Sequence, residues 1–149
     1  MTKAVLFDFM GVVGYTRMAM AGDPGHGDVR VLMYEEVVDA LQRLRATGIK
    51  LGLVSNNDRS RFTAHAPDVA AKLEELFDVV VYSSDVKAEK PSPVIYNTAL
   101  DALGVQGHDA HYFDDLAHNV DAAIALGMSG TVVTAPKDVL RVVDELLHI

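Results

Sequence analysis

Short, unbroken apolar runs alternate along this chain with longer stretches in which apolar residues recur every three or four positions. The first run, Ala4-Val5-Leu6-Phe7, stops at Asp8. Four apolar residues closed by a carboxylate predict a buried strand that carries the acid to a sheet edge. Residues 49–54, 77–82, 110–113 and 131–134 repeat the pattern. Between them the spacing is helical. Val37, Val38, Leu41 and Leu44 share one face of a helix over 34–47 that Gly48 ends. A polar helical piece follows Ser55-Asn56-Asn57-Asp58, and Pro67-Asp68 start a helix over 69–76. Pro91-Ser92-Pro93 open a helix with Val94, Ile95, Ala99 and Leu103 inward. Val120, Ala123, Ile124 and Gly127 mark the next, and Val139, Leu140, Val143 and Leu147 lie on the stripe of the last. Continuously apolar strands alternating with helices predict an α/β fold, a parallel sheet covered on both faces.

One segment breaks the alternation. Residues 11–30 hold Gly11, Gly14, Gly22, Gly25, Gly27 and Pro24. They predict a loop of about twenty residues, long enough to suggest function. Within it, Arg17-Met18-Ala19-Met20 is less polar than a free linker. That stretch either packs back on the domain or, through Met18 and Met20, forms a contact surface. The 149 residues, half of them hydrophobic, suit one domain over 1–149 with its own core. No apolar run reaches the length of a membrane span, and the N-terminus lacks the apolar core of a signal peptide. The absence of cysteine excludes disulfides, thiolate metal sites and a Cys nucleophile, and fits a cytoplasmic protein. With a net charge of -8 and 13 scattered basic residues there is no concentrated basic face, so no nucleic-acid partner is expected.

Ligands of open parallel sheets bind beyond the carboxyl ends of the strands, and the polar residues of interest fall there. Asp8 follows the first strand, Ser55 the second, and Asp114-Asp115 the fourth; Lys90 lies in the loop after the third. Singly, each has a plain alternative: Asp8 and Ser55 as turn residues, Lys90 as a surface charge, the acidic pair as helix caps. Together they suggest phosphoryl transfer. Asp8 is a candidate nucleophile forming an aspartyl-phosphate. Asp114 and Asp115 offer hard oxygen ligands to Mg²⁺. Ser55 can donate to a phosphoryl oxygen, and Lys90 can neutralise developing charge and pair with the carboxylates.

The chain resembles the haloacid dehalogenase-like (HAD) hydrolase superfamily over nearly its whole length. LFDFMGVV, LGLVSNN, EKPSPVIYNTAL and HYFDDLAHNVDAAIALGM look like its four motifs, in order. The resemblance implies a Rossmann-like three-layer fold, Mg²⁺, and Asp8 as a nucleophile that also contacts the metal. It implies Ser55 and Lys90 as catalytic stabilisers of phosphate and intermediate, and Asp115 with Asp114 as metal-binding acids. Asn56 falls where the family's backbone often contacts phosphate, and Asn119 at a partly variable polar position.

Two departures from the family pattern matter. Family phosphatases usually carry a second Asp two residues after the nucleophile, as general acid and base. Here that residue is Met10. Its backbone carbonyl can still face the metal, but a thioether moves no proton, and that help is worth roughly 10²–10⁴-fold. His26 is the one candidate for a substitute acid, against a plain reading as an exposed loop residue. The gaps between motifs are also too short for the family's cap domain. A capless, open site implies a large or macromolecular phosphorylated substrate, or an oligomer or protein partner that covers it. The expected function is a Mg²⁺-dependent phosphatase or phosphotransferase. The alternatives are an inactive HAD-fold protein that binds a phosphorylated ligand or protein, and a dehalogenase, which the acidic pair argues against. His108 and His111 are expected at the far end of the fourth strand, without a third metal ligand.

Overall fold

The computed structural model describes residues 1–21 and 29–148. In chain order its elements are β1 (Ala4–Phe7), β2 (Gly14–Met18), β3 (Val29–Met33), α1 (Glu35–Ala46), β4 (Lys50–Ser55), α2 (Arg59–His65) and α3 (Pro67–Leu76). There follow β5 (Val79–Tyr82), α4 (Ser83–Val86), α5 (Pro93–Leu103), β6 (Ala110–Asp114), α6 (Ala117–Ala125), β7 (Ser129–Val132) and α7 (Pro136–Leu146). Five strands form a parallel sheet in the order β5-β4-β1-β6-β7. After β1 the chain builds outward through β4 and β5, then crosses to the other side for β6 and β7. The switch in direction therefore falls at the carboxyl end of β1, where Asp8 emerges.

Both faces of the sheet are covered, as unbroken apolar strands require. On one face Phe7, Leu51, Leu53 and Phe113 pack with Val37, Leu41 and Leu44 of α1, Leu73 of α3 and Val139 and Val143 of α7. On the other, Leu6, Val54 and Tyr112 pack with Ile95, Tyr96 and Leu103 of α5 and Val120 and Ala123 of α6. Phe7 stacks on Phe113 at 5.0 Å between ring centres, so the central strand is gripped from within the sheet as well. Val94 and Ile124 face outward, 49% and 50% exposed, whereas the periodicity places Val94 inward. At the first turn of α5, Ile95 turns to the sheet as expected, and Tyr96 takes the place given to Val94. No described helix is long and apolar enough to cross a membrane.

The expected glycine-rich loop over 11–30 is, in its described parts, largely an antiparallel ribbon of β2 and β3, paired from Gly14↔Met33 to Met18↔Val29. Sequence reading missed it because β2 is short and mixes Arg, Thr and Tyr with glycine, so period-two alternation is faint. At its base the Phe9 carbonyl accepts the N–H groups of Val12, Val13 and Gly14 at 3.2, 2.9 and 2.9 Å. Gly14 is required there: a Cβ would lie 2.2 Å from the Phe9 ring. The ends of the other strands also shift slightly. Thr131–Thr134 was the expected last strand and Ser129–Val132 the observed one, because the ladder to β6 sets the register at His111↔Ser129.

Arg59 locks the turn after β4. Its guanidinium donates to both Asp85 oxygens (2.9 and 2.7 Å), to Glu74 (3.2 Å) and to the Val80 carbonyl (3.1 Å), and lies 4.6 Å from the Tyr82 ring centre. One side chain thus ties α2 to α3, β5 and α4. Replacing it, Arg59→Met, is expected to cost about 1–2 kcal/mol by urea unfolding; a change within experimental error would mean solvent screens the cluster completely.

His111 lies within the sheet, with Nδ1 2.6 Å from Ser129 Oγ and Nε2 2.8 Å from Thr131 Oγ1. Burial pushes its pKa down to about 4, against a small opposing pull from Glu145. The folded state then resists the proton that the unfolded chain accepts near pH 6.5. Stability from this group is complete above that pH, declines on acidification, and levels off below about 4, a loss on the order of 3 kcal/mol. An NMR titration should find its ring protons shifting well below pH 6; a midpoint near 6.5 would contradict the burial argument.

Candidate active site

Lys90 is the hub of the switch point. Its ammonium, on a side chain 1% exposed, donates to Asp8 Oδ1 (2.8 Å), Asp114 Oδ2 (3.0 Å), the Val54 carbonyl (2.8 Å) and the Tyr112 hydroxyl (3.1 Å). An unpaired buried ammonium would be costly, so these acceptors are a condition of its burial. The loop that delivers it is clamped by Asn56, whose Nδ2 donates to the Lys90 carbonyl (3.1 Å) and whose Oδ1 accepts the Lys90 N–H (2.7 Å). The Asn56 side chain is therefore occupied in positioning Lys90, which leaves its backbone as the part that can meet a ligand.

Asp114 is the most fully bonded acid. Its Oδ1 accepts the Leu116 N–H at 3.0 Å, while Oδ2 receives Lys90, the Tyr112 hydroxyl (2.5 Å) and Asn119 Nδ2 (3.2 Å). Burial raises its pKa, but Lys90, Tyr112 and the Leu116 N–H together hold it below the usual carboxylate value. Asp8 goes the other way. Burial and the neighbouring Asp114 charge outweigh Lys90 and push its pKa up to about 7. Asp115 is also raised, by desolvation and by Asp114, although contact with Asp8 opposes this.

Carboxylate oxygens of Asp8, Asp114 and Asp115 all lie within 4.8 Å of one another. Three carboxylates against one ammonium leave a formal excess of two negative charges, which a divalent cation would neutralise, and hard oxygens suit Mg²⁺. The donor set fits. Asp8 and Asp115 are better placed than Asp114 to turn oxygens toward an ion, since both Asp114 oxygens are already bonded. Gly11 makes room for this arrangement: its φ is +80°, and a Cβ would approach Asp115 Oδ2 to 2.8 Å.

Ser55 is buried at the end of β4, its Oγ 2.6 Å from Asn57 Nδ2. Asp8, Ser55, Lys90, Asp114 and Asp115 thus gather at one sheet edge. Met10 sits two residues beyond Asp8 with its side chain partly exposed. Asn119 supports the site from α6, its Oδ1 buried without a partner among the described residues. His26 lies outside the described residues. His111 lies on β6 away from the cluster. Sequence reading missed Tyr112, yet a signal was present: two positions before Asp114 on one strand, its hydroxyl must share that acid's face.

Removing the hub, Lys90→Met, strands two buried carboxylates. The expected loss is about 3–5 kcal/mol near neutral pH, shrinking in acid as those carboxylates take up protons. Denaturant melts at two pH values check both the size and the sign.

Residues 25–133 match the family described as haloacid dehalogenase-like hydrolase, a span that includes Ser55, Lys90, Asp114 and Asp115 and begins beyond Asp8. The Mycobacterium tuberculosis protein named Phosphatase MT3486 is 35% identical over 100 residues, covering 67% of this chain and 46% of that protein. Pyrophosphatase PpaX of Bacillus cereus is 36% identical over 95 residues, covering 64% and 43%. The chain therefore spans less than half the length of these relatives. An uncharacterized protein from Corynebacterium glutamicum shares the fold with a TM-score of 0.76 at 18% identity, covering 99% of this chain and 96% of that one. With more than half of its residues matched, the chain belongs to the haloacid dehalogenase-like hydrolase family.

Proposed function

We propose that the chain is a Mg²⁺-dependent phosphatase that works through an aspartyl-phosphate on Asp8. The observation that carries this reading is the buried Lys90 ammonium bonded to Asp8 and Asp114, with Asp115 converging on the same carboxylates. Relatives named phosphatase and pyrophosphatase support it. An Asp8 oxygen attacks phosphorus, the bond to the leaving oxygen breaks, and the electron pair departs with that oxygen. Water then attacks the phosphorus of the acyl phosphate and returns Asp8 as a carboxylate. Lys90 stabilises the charge that gathers on the phosphoryl oxygens, and the Ser55 hydroxyl donates to one of them. Asp8, Asp115 and the Met10 carbonyl, with Asp114 behind them, would hold the cation, whose charge would offset the repulsion between carboxylate and phosphate.

The site is proposed to work without a cap, since among the described residues a ribbon and one helix lie between β1 and β4. It would then be open to a bulky phosphorylated substrate, or covered by a second copy or another protein. One observation favours a second reading, a phosphate-binding protein of low or no turnover: Met10 stands where the family's proton-transferring acid is expected. Purified protein with Mg²⁺ is expected to hydrolyse an activated aryl phosphate, and Asp8→Asn to abolish this. Met10→Asp should raise turnover of unactivated alkyl phosphates by roughly 10²–10⁴-fold. Equal rates for Asp8→Asn and the parent would sink the nucleophile assignment. No turnover on any ester until Met10→Asp is introduced would select the second reading.

A further inference from the structure

Beside the acid cluster lies an open cleft of roughly 850 Å³ between the β2–β3 ribbon and α2. It begins where the reacting site ends. Met10 forms one wall, and Asn57, which bonds Ser55, belongs to another. Val31 and Phe62 add apolar surface. Arg61 and His65, four residues apart and so on one face of α2, supply the basic groups.

The two arginines of α2 differ sharply in use. Arg59 spends its guanidinium on Asp85, Glu74 and Val80. The Arg61 side chain makes no ion pair or hydrogen bond among the described residues, nor does that of His65. The cleft's acid, Asp58, is turned to the helix backbone and accepts the Arg61 N–H at 3.0 Å. An exposed cation held beside a phosphoryl-transfer site, with no hydrogen-bond or ion-pair acceptor among the described residues and Asp58 as the acid that feels its charge, is suited to bind an anion.

Met10 adds a chemical constraint on that anion. A leaving oxygen that receives no proton departs as an anion, and it departs readily only when its conjugate acid is strong. Alkoxides fail this condition; carboxylates and phosphates meet it. We propose that the cleft is a leaving-group subsite for phosphoryl donors whose leaving group departs as a carboxylate or phosphate, with Arg61 and His65 as its specificity-determining contacts. This rests on the phosphatase reading above and narrows its substrate class to acyl phosphates and phosphoanhydrides. In the step, the bond from Asp8 to phosphorus forms and the bridging P–O bond breaks. The electron pair stays on the leaving oxygen and no proton moves. Water later cleaves the acyl phosphate, its proton passing to solvent.

The test separates binding from turnover. Titration calorimetry of the unaltered chain with Mg²⁺ would compare methylenediphosphonate and phosphonoacetate with methylphosphonate, whose tail is neutral. At least one anionic-tailed probe should bind about tenfold more tightly or better, and Arg61→Gln should reduce that advantage to about twofold or less. A preference for the diphosphonate identifies a phosphate leaving group; one for phosphonoacetate identifies a carboxylate. Equal affinity for all three probes overturns the subsite, as does a preference that survives Arg61→Gln. Arg61 is exposed, and a thermal melt of the variant confirms that its fold is kept. If no phosphate compound is turned over but the Arg61-dependent preference holds, the phosphatase reading fails and the anion subsite stands. Where turnover is present, the ratio of kcat/KM for acetyl phosphate or pyrophosphate to that for an alkyl phosphate should fall in Arg61→Gln.

Discussion

A lysine ammonium with almost no access to water sets the terms for this structure. Lys90 can be charged in the middle of a sheet only if the chain brings it enough acceptors, and the fold supplies them from three adjacent strands. Asp8 comes from the end of β1, the Val54 carbonyl from β4, and Tyr112 and Asp114 from β6. The order β4-β1-β6 is what makes those groups neighbours. Sheet order and site chemistry are therefore one constraint: a different strand arrangement would leave the ammonium or the acids stranded at a cost of several kcal/mol.

The lysine does not treat its two acids alike. Asp114, tied down by a hydroxyl, an amide and a backbone N–H, stays ionised and anchors the ammonium. Asp8 has fewer donors and lies close to two other carboxylates, so it holds a proton more readily until further positive charge arrives. This division gives one rigid counter-ion and one carboxylate whose charge depends on what is bound.

Much of this was readable in the sequence because strand ends are where polarity changes abruptly. Asp8, Ser55 and Asp114-Asp115 each interrupt an apolar run, so a parallel sheet alone predicts that they meet. The side-chain role of Asn56 was not readable. Nothing local shows that an amide after β4 will grip the backbone of residue 90, because that contact exists only once the sheet has closed. The ribbon was hidden for a different reason: its strands bury little, so their alternation is weak, and glycine drew the reading toward a loop. Val94 shows the limit of periodicity at a helix start, where one residue of phase decides which neighbour turns inward.

The packing of Phe9 against Gly14 has a consequence for how this architecture can grow. The Phe9 carbonyl and ring fix the ribbon's base to the strand that carries Asp8. An insertion between Phe9 and Gly14 would displace the loop that follows Asp8. Extra chain between Met18 and Val29 would leave the pairing at Gly14↔Met33 untouched. The scaffold thus has an editable tip and a fixed root. A lineage can lengthen the chain that the ribbon carries without rebuilding the strand end that carries Asp8.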